Sequence, residues 1–322
     1  MTSVDDYLYD GETVFIGRKG SIDKPFYFSG KFWTVDTLFY TYDFNGVIPK
    51  FLYSIFQRIN WKKYNEASGV PSLSKATIEK IKFKYPLSPE QDKISRLLSL
   101  IDERIATQNK IIDNLQSLIK GLIQRLSQEG LANGSWHRIM LSEILTERNE
   151  LNAAYHPVHS VSVSAGVINQ VEYLGRSFAA KDTAHYHVVY NGDIVYTKSP
   201  TGNQPFGIVK QSHCLTPAAV SPLYGVYQPC SFEIGNYLHY YFLNPLNTNN
   251  YLSPLIQKGA KNTINISNQR FLENRVPLPI DDMEIQLVSD SLSALDKKIQ
   301  FEYDVLTSLE IQKKFLLGNM FI

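Results

Sequence analysis

The chain has 322 residues, 43% of them hydrophobic, and its 32 Lys and Arg residues are balanced by 31 Asp and Glu residues. This length and composition predict about two domains with complete hydrophobic cores and exclude a generally basic protein. Two cysteines exclude a disulfide framework, and no apolar run reaches the roughly 18–20 residues of a bilayer span, so we expect a cytoplasmic protein with reduced cysteines and no membrane partner.

The first predicted segment, residues 1–87, begins with a strand and a basic loop. The stretch "YDGETVFIGRKGS" from Tyr9 reads as an Asp-Gly turn, a strand and a glycine loop. The stretch "PKFLYSIFQRI" then predicts a helix with one apolar face, and "GVPSLSKATIEK" reads as a polar loop followed by a short apolar run. With 12 basic and 9 acidic residues, this segment carries a charge of +3, which favours phosphate although the whole chain carries only +1.

Residues 88–130 predict one long helix with a narrow apolar stripe, which we call the first seam. Its members step by four and three residues in turn, a heptad pattern typical of a coiled coil. The first seam consists of Ile94, Leu98, Ile101, Ile105, Gln108, Ile112, Leu115, Ile119, Leu122 and Leu126. Gln108 is its one polar member, and a polar residue at such a position specifies register at some cost in stability.

Residues 136–280 repeat the order of the first segment. The stretch "YNGDIVYTKSPTGN" from Tyr190 matches the first strand and loop at an offset of 181 residues, and "IGNYLHYYFLN" matches the first helix at 186. The stretch "NTINISNQRFLE" matches the polar loop and short apolar run at 193, so the loops are longer in the second copy. Ten basic and eight acidic residues give this segment a charge of +2.

Residues 281–322 predict a second long helix, which repeats the first at an offset of 194 and carries a charge of −4 from 4 basic and 8 acidic residues. Its stripe, the second seam, consists of Val288, Leu292, Leu295, Ile299, Glu302, Leu306, Leu309, Leu316 and Met320, with Lys313 in the same periodic series. Glu302 occupies the position of Gln108. Because each seam needs a partner, we expect the two helices to pack antiparallel about a pseudo-twofold axis.

The duplicated order resembles the specificity (S) subunits of type I restriction-modification systems, the HsdS family, over nearly all of the chain. The resemblance rests on the paired strand and loop blocks above, on the second segment's opening "WHRIMLSEILTERNE" and on the two helices. It implies an α+β fold of two target-recognition domains in tandem, residues 1–87 and 136–280, joined by long antiparallel coiled-coil helices, residues 88–130 and 281–322. It also implies a non-catalytic subunit that reads a bipartite, interrupted target in double-stranded DNA.

The resemblance further implies that partner subunits carry out the chemistry. Two modification subunits would methylate adenine with S-adenosylmethionine, and restriction subunits would translocate and cleave DNA with ATP and Mg. We therefore expect no cofactor and no metal in this chain, which also lacks the phosphate-binding motif G-x-x-x-x-G-K.

The glycine loops and the polar loops supply the candidate DNA-binding residues. Lys and Arg attract phosphates, whereas Ser, Thr, Asn and Gln can form hydrogen bonds with base edges. In the first copy the candidates are Arg18, Lys19, Ser21, Lys24, Ser72 and Lys75. In the second copy they are Lys198, Ser199, Thr201, Asn203, Gln204, Lys258, Lys261, Asn262 and Thr263.

The first copy is shorter at its start than the second. The second copy has 56 residues between Trp136 and Gly192, whereas Gly11 has ten before it, so we expect the first recognition domain to lack roughly 46 residues (56 minus 10). Two alternatives to the DNA reader therefore stay open. One is a coiled-coil assembly scaffold or truncated subunit that no longer reads DNA alone. The other is a stand-alone DNA methyltransferase, for which Pro229-Cys230 offers a nucleophile but no glycine-rich cofactor loop follows a strand.

Overall fold

The computed structural model describes residues 6–176, 179–198, 202, 204–258 and 264–321, without the side chains of Lys258 and Ile264. The chain divides into two compact units. Unit 1 comprises Met1–Ile112 and Glu302–Ile322, and unit 2 comprises Asp113–Phe301. Helices and antiparallel strands occur in both units, which confirms the predicted α+β class.

Unit 1 contains a three-stranded antiparallel sheet. Its strands are β1 (Tyr9–Gly17), β2 (Phe26–Phe32) and β3 (Leu38–Tyr40). β1 lies in the middle, since Phe15 pairs with Phe26 of β2 and with Tyr40 of β3. The helices that follow are α1 (Pro49–Arg58), a 3-10 helix (Trp61–Tyr64), α2 (Lys75–Glu79) and the long α3 (Ser88–Asn133).

The core of unit 1 lies between β1 and α1. Val14 and Ile16 of β1 are fully buried and pack with Leu52 and Phe56 of α1 and with Trp61. The Trp61 indole N–H donates a 2.7 Å hydrogen bond to the carbonyl oxygen of Phe56, which satisfies the one polar atom of this buried ring. The apolar face predicted for "PKFLYSIFQRI" thus contacts the sheet through Leu52 and Phe56, while Phe51 and Ile55 pack with Ile94 and Leu98 of α3.

Unit 2 consists mainly of short strands. They are β4 (Trp136–Met140), β5 (Leu145–Glu147), β6 (His159–Ser162), β7 (Gly166–Asn169), β8 (His187–Val189), β9 (Ile194–Thr197), β10 (Ile208–Gln211), β11 (Ala218–Val220), β12 (Gly225–Pro229), β13 (Gln257–Lys258), β14 (Ile264–Asn265) and β15 (Arg275–Pro279). Four form one sheet in the order β10-β9-β12-β5, and the others pair as β4 with β15, β6 with β7, β8 with β11 and β13 with β14.

The helices of unit 2 cover its aromatic core. They are α4 (Leu141–Ile144), α5 (Gln170–Leu174), α6 (Phe232–Tyr241), α7 (Pro245–Leu252), a 3-10 helix (Ser253–Leu255), α8 (Asn268–Phe271) and the start of the long α9 (Asp282–Asn319). Phe271 of α8 stacks on Tyr196 of β9 and Tyr227 of β12, with ring centroids 4.6 and 4.9 Å apart. Tyr237 of α6 is buried, and its hydroxyl donates a 2.7 Å hydrogen bond to the carbonyl oxygen of Pro277.

The two predicted long helices are confirmed as α3 and α9. α3 ends at Asn133 rather than at residue 130, and α9 covers Asp282–Asn319. Each contributes to both units, because the division falls after Ile112 in α3 and before Glu302 in α9. The predicted domain limits at residues 87, 136 and 280 therefore stay predictions. Neither long helix, nor any other helix in the described part of the chain, is apolar enough over a sufficient length to cross a membrane.

Within unit 1 the two long helices run antiparallel. The Lys313 ammonium of α9 lies 2.5 Å from the Asp102 carboxylate of α3. Further along α3, the Gln108 side-chain amide donates two hydrogen bonds to Glu302 of α9. One goes to the carboxylate and the other, at 3.0 Å, to the backbone carbonyl oxygen. Asp102 thus contacts Lys313, and the later residue Gln108 contacts the earlier residue Glu302, so the two helices run in opposite directions. Near the start of α3, Ile94 belongs to an apolar cluster that also contains residues at the end of α9.

Both seams face the protein interior. Every member of the first and second seams is buried or half-buried, including the periodic Lys313. Gln108 and Glu302 are each 7% exposed, so the polar residue of each seam is buried together with its partner. The residues between the seam positions are mostly exposed, as a narrow coiled-coil stripe requires.

The duplication extends to the caps of two short helices. Ser74 accepts a 3.2 Å hydrogen bond from the Thr77 N–H and caps α2. Ser267 accepts an equal bond from the Arg270 N–H and caps α8. The two serines are 193 residues apart, which is the offset between the two matching sequence blocks. The residue before each serine, Leu73 or Ile266, is buried. The repeated sequence therefore forms the same capped helix start in both copies.

Candidate nucleic-acid interface

The loop between β1 and β2 has a backbone shape that other contacts hold in place. A Cβ at Gly17 would lie 2.6 Å from the carbonyl oxygen of Ser21, so this close approach needs glycine. Gly20 adopts a positive φ of 78°, and its N–H donates a 2.8 Å hydrogen bond to the carbonyl oxygen of Pro71. Ile22 is buried in the core of unit 1 and anchors the loop. The candidate DNA-binding residues on this loop are Arg18, Lys19, Ser21 and Lys24.

The polar loop before α2 lies against the first loop. Lys19 and Ser72 form an isolated antiparallel bridge, and the Leu73 N–H donates a 2.9 Å hydrogen bond to the carbonyl oxygen of Arg18. The structure therefore brings two of the predicted segments together. Lys75 lies on the first turn of α2, where its ammonium is 3.6 Å from the Glu79 carboxylate.

A groove of about 450 Å³ opens beside the first loop. Its second wall is the segment that joins β2 to β3, which the Arg18 N–H fixes by a 2.8 Å hydrogen bond to the carbonyl oxygen of Thr37. This volume is within the range of about 300–1,000 Å³ typical of ligand pockets. The polar and aromatic residues that line the groove are Lys19, Ser21, Lys24, Phe26, Trp33, Thr34 and Thr37.

The groove has a local excess of positive charge. The Asp36 carboxylate lies 3.9 Å from the Arg18 guanidinium, and the Asp23 carboxylate lies 3.0 Å from the Lys62 ammonium. The hydrogen bond from Lys62 lowers the pKa of Asp23, which keeps that pair ionised. Within the described residues, Lys19 and Lys24 form no ion pair within 4.0 Å and both are exposed. The nearby carboxylates are thus occupied, while two ammonium groups stay available for an anion.

The matching loop of unit 2 is described only in part. Lys198 is half-buried at the end of β9, and burial lowers its pKa while Glu147 opposes the shift. Gln204 is 6% exposed, so its side chain lies inside unit 2 rather than on its surface. The predicted contacts Ser199, Thr201, Asn203, Lys261, Asn262 and Thr263, and the side chain of Lys258, lie outside the described residues.

The turn before β9 is held by a residue that the sequence did not single out. The Arg148 guanidinium donates hydrogen bonds of 2.8 and 3.1 Å to the two carboxylate oxygens of Asp193. Asp193 also accepts a 2.9 Å bond from the Tyr190 N–H, and Arg148 lies over the Tyr190 ring. Burial raises the pKa of Asp193, and the hydrogen bond from Arg148 opposes that shift. These contacts fix the turn that leads into the Lys198 loop.

The sequence also did not identify the second wall of the groove. Phe26 and Trp33 are large aromatic residues that are 43% and 54% exposed. Aromatic residues in a strand pattern predict core packing, and only the folded sheet shows that these two face solvent beside lysines.

The described residues include no group of three or more His, Cys, Asp or Glu side chains that could hold a metal ion. Cys214 and Cys230 are both free thiols. The exposed ammonium groups of Lys19 and Lys24 beside the groove suit the binding of an anion.

Comparisons with known proteins agree with this description. Residues 1–117 match the family model for the type I restriction modification DNA specificity domain. A curated relative, the type I restriction enzyme MjaVIII specificity subunit of Methanocaldococcus jannaschii, is 29% identical over 128 residues. That alignment spans 38% of this chain and 28% of the relative's length.

The fold also resembles a solved structure. The crystal structure of the type I restriction-modification S subunit from M. genitalium superposes with a TM-score of 0.60 and 14% identity, and the match covers 99% of this chain and 85% of that one. At this identity the superposition concerns the fold alone. Residues 1–117 therefore match the type I restriction modification DNA specificity domain, and the chain shares its fold with an S subunit of such a system.

Proposed function

We propose that this chain is the non-catalytic DNA sequence-specificity subunit of a type I restriction-modification complex. The observation that carries the proposal is the match of residues 1–117 to a DNA specificity domain, which contains the basic groove of unit 1. The duplicated blocks support a second reader in unit 2, so the target would be bipartite and interrupted double-stranded DNA.

In this role the basic loops position the DNA, and neighbouring polar side chains select its sequence. Lys19 and Lys24 would contact phosphates, because contacts between a cation and the DNA backbone fix the orientation of a bound protein. Ser21 and Ser72 would approach base edges, with which hydroxyl groups can form hydrogen bonds. Arg18 would need to leave Asp36 before its guanidinium could read a guanine.

The chemistry would reside on other chains. Two modification subunits would supply S-adenosylmethionine and methylate adenine, and restriction subunits would use ATP and Mg to translocate and cleave the DNA. The chain itself would hold no cofactor. It would act in the cytoplasm, where these subunits meet the DNA.

The outer surface of α9 would dock the modification subunits. Its seam residues are turned inward, whereas Asp290, Asp304 and Glu310 are exposed on a segment with a charge of −4. Reversing these three charges together to lysine should weaken co-purification with the modification subunit, while thermal unfolding of the free chain stays unchanged. Assembly at wild-type affinity would contradict this docking surface.

The proposed function predicts a specific pattern of methylation. Host DNA is sequenced for methylated adenine after the chain and its modification subunits are expressed together in a strain that lacks the system. A single interrupted motif, absent when the chain is omitted, is the expected result. Methylation that does not depend on the chain would refute the proposal, and methylation by the purified chain alone would identify a methyltransferase instead.

A further inference from the structure

The groove of unit 1 combines features that suit one strand of nucleic acid. We propose that it binds a DNA strand, with Lys19 and Lys24 on neighbouring phosphates and the indole of Trp33 stacked on a base that the strand presents. This inference rests on the proposed function and adds to it Trp33, a base-contacting residue that lies outside the basic loops.

The exposure of Trp33 is the first observation behind this proposal. The chain has three tryptophans, and the other two, Trp61 and Trp136, are only 1% and 3% exposed. Both buried indoles donate their N–H groups, to the Phe56 carbonyl oxygen and to the Glu284 carboxylate, each at 2.7 Å. Trp33, by contrast, is 54% exposed and lines the groove. Tryptophan is enriched at binding interfaces, because its indole combines a large apolar surface with one polar N–H group.

Charge is the second observation. Lys19 and Lys24 line the same groove as Trp33, and the carboxylates of Asp23 and Asp36 are held by Lys62 and Arg18. An aromatic platform beside cations that can follow a phosphate backbone is how proteins bind strands of nucleic acid. A neutral apolar ligand would leave both ammonium groups without a function. The combination therefore favours a nucleic acid over a lipid or an apolar peptide.

The third observation is that both walls of the groove are already fixed. Gly17 pairs with Leu38 across β1 and β3, and the Arg18 N–H is bonded to the carbonyl oxygen of Thr37. The loop with Lys19 is further held by its bridge to Ser72. A preformed site loses little conformational entropy on binding. The groove is thus ready to receive a strand without rearranging its backbone.

Substitutions at Trp33 test the stacking contact directly. The full-length chain is titrated with mixed-sequence single-stranded DNA and, separately, with the matching duplexes at several salt concentrations, and binding is followed by fluorescence anisotropy of the labelled DNA. For single-stranded DNA the affinity of Trp33→Ala should fall by about 5- to 150-fold, which corresponds to the loss of one base stack. Its salt dependence should match the wild type, because no charge is removed. Trp33→Phe, which keeps a stacking ring, should retain most of the affinity.

Intrinsic fluorescence gives a second, independent measurement. Trp33 is the exposed one of the three tryptophans, so bound DNA should quench its contribution to the fluorescence of the wild-type chain. The quenching should disappear in Trp33→Phe, although that variant still binds DNA. Thermal unfolding of both variants serves as the folding control, since an exposed side chain contributes little to the core.

The outcomes separate this inference from the proposed function. If the wild-type chain binds duplexes but not single-stranded DNA, or if Trp33→Ala binds single-stranded DNA as tightly as the wild type, the stacking contact is refuted and the DNA reader stands. If Trp33→Ala leaves DNA binding unchanged but weakens assembly with the modification subunit, the groove is a protein-docking site and the inference is overturned. If the wild-type chain binds no duplex at low salt and directs no methylation, the proposed function itself fails.

Discussion

Lys210 is the most unusual single residue in unit 2. It lies on β10, is 3% exposed, and burial lowers its pKa from the ordinary 10.5 to about 8, against the opposing charge of Asp296. The same neighbourhood contains His239, whose pKa burial lowers well below its usual value, and His213, shifted in the same direction. A charged amine inside a domain costs folding free energy, because its hydration is lost.

Replacing Lys210 by methionine should change how stability depends on pH. The folded-state pKa lies below the unfolded one, so between pH 8 and 10.5 the unfolded state binds more protons and the wild type becomes more stable as pH rises. Lys210→Met should therefore be more stable than the wild type at pH 7, by as much as roughly 3 kcal/mol, and the difference should shrink towards pH 10.5. Urea unfolding across this pH range measures both effects.

The control for Lys210→Met is Lys120→Met, which removes an exposed amine from α3. Its stability difference from the wild type should not vary over the same pH range. A Lys210→Met difference that is likewise constant with pH would mean that Lys210 binds protons equally in the folded and unfolded states over this range. The burial argument would then be wrong.

At the scale of elements, the polar pair of the seams has a defined structural effect. Gln108 donates to both the carboxylate and the carbonyl oxygen of Glu302, and both side chains are 7% exposed. Gln108→Leu should lower the free energy of unfolding by about 1–3 kcal/mol, because these two hydrogen bonds are lost in a buried position. The double variant Gln108→Leu with Glu302→Leu should regain that stability, since a buried polar pair is often replaced by apolar residues without loss.

Circular dichroism during urea unfolding distinguishes these cases. Gln124→Leu, an exposed change on the same helix, controls for the change in helix propensity and should be nearly neutral. If the double variant is no more stable than Gln108→Leu, then the hydrogen-bonded pair stabilises the fold more than two buried leucines at the same positions. The expectation that it only sets register at a cost in stability would then be refuted.

The two serine caps make a matched prediction in the two units. Ser74→Ala and Ser267→Ala should each cost about 0.5–2 kcal/mol of stability, because each removes the acceptor for an N–H in the first turn of a helix. Ser74→Ala should have the larger effect, since the Ser74 hydroxyl also donates a 2.8 Å hydrogen bond to Glu66. Ser291→Ala on the exposed side of α9 is the control. If both variants unfold at the same urea concentration as the wild type, the two serines do not act as helix caps.

The sequence allowed the long elements to be predicted because periodicity is a local property of the chain. Ile94, Leu98 and Ile101 predict a helix and its buried face with no knowledge of the partner. The groove could not be predicted in this way, since it depends on the pairing of Gly17 with Leu38 across 21 residues of chain. For the same reason the exposure of Trp33 and the fixing of the turn by Arg148 became visible only in the fold.

For the whole molecule, the distribution of charge matters more than its sum. The chain has a net charge of +1, yet residues 1–87 carry +3 and residues 281–322 carry −4. A DNA-binding role for both units therefore requires that loops in each contact phosphates. Salt dependence counts those contacts, because each neutralised phosphate contributes about −0.9 to the slope of log affinity against log salt.

Alanine substitutions in the two units should reduce this slope additively. Lys19→Ala with Lys24→Ala in unit 1 should reduce it by about 1.8, and Lys198→Ala in unit 2 by about 0.9, so the triple variant should lose about 2.7. Anisotropy titrations of the full-length chain between low and moderate salt give these slopes, and Lys120→Ala on α3 is the control that should leave the slope unchanged. If Lys198→Ala also leaves it unchanged, unit 2 does not use this lysine on the backbone. A reduction of the slope in the unit 1 variant alone would then mean that the groove of unit 1 supplies the measured phosphate contacts. The second reader would have to bind DNA through its other loops.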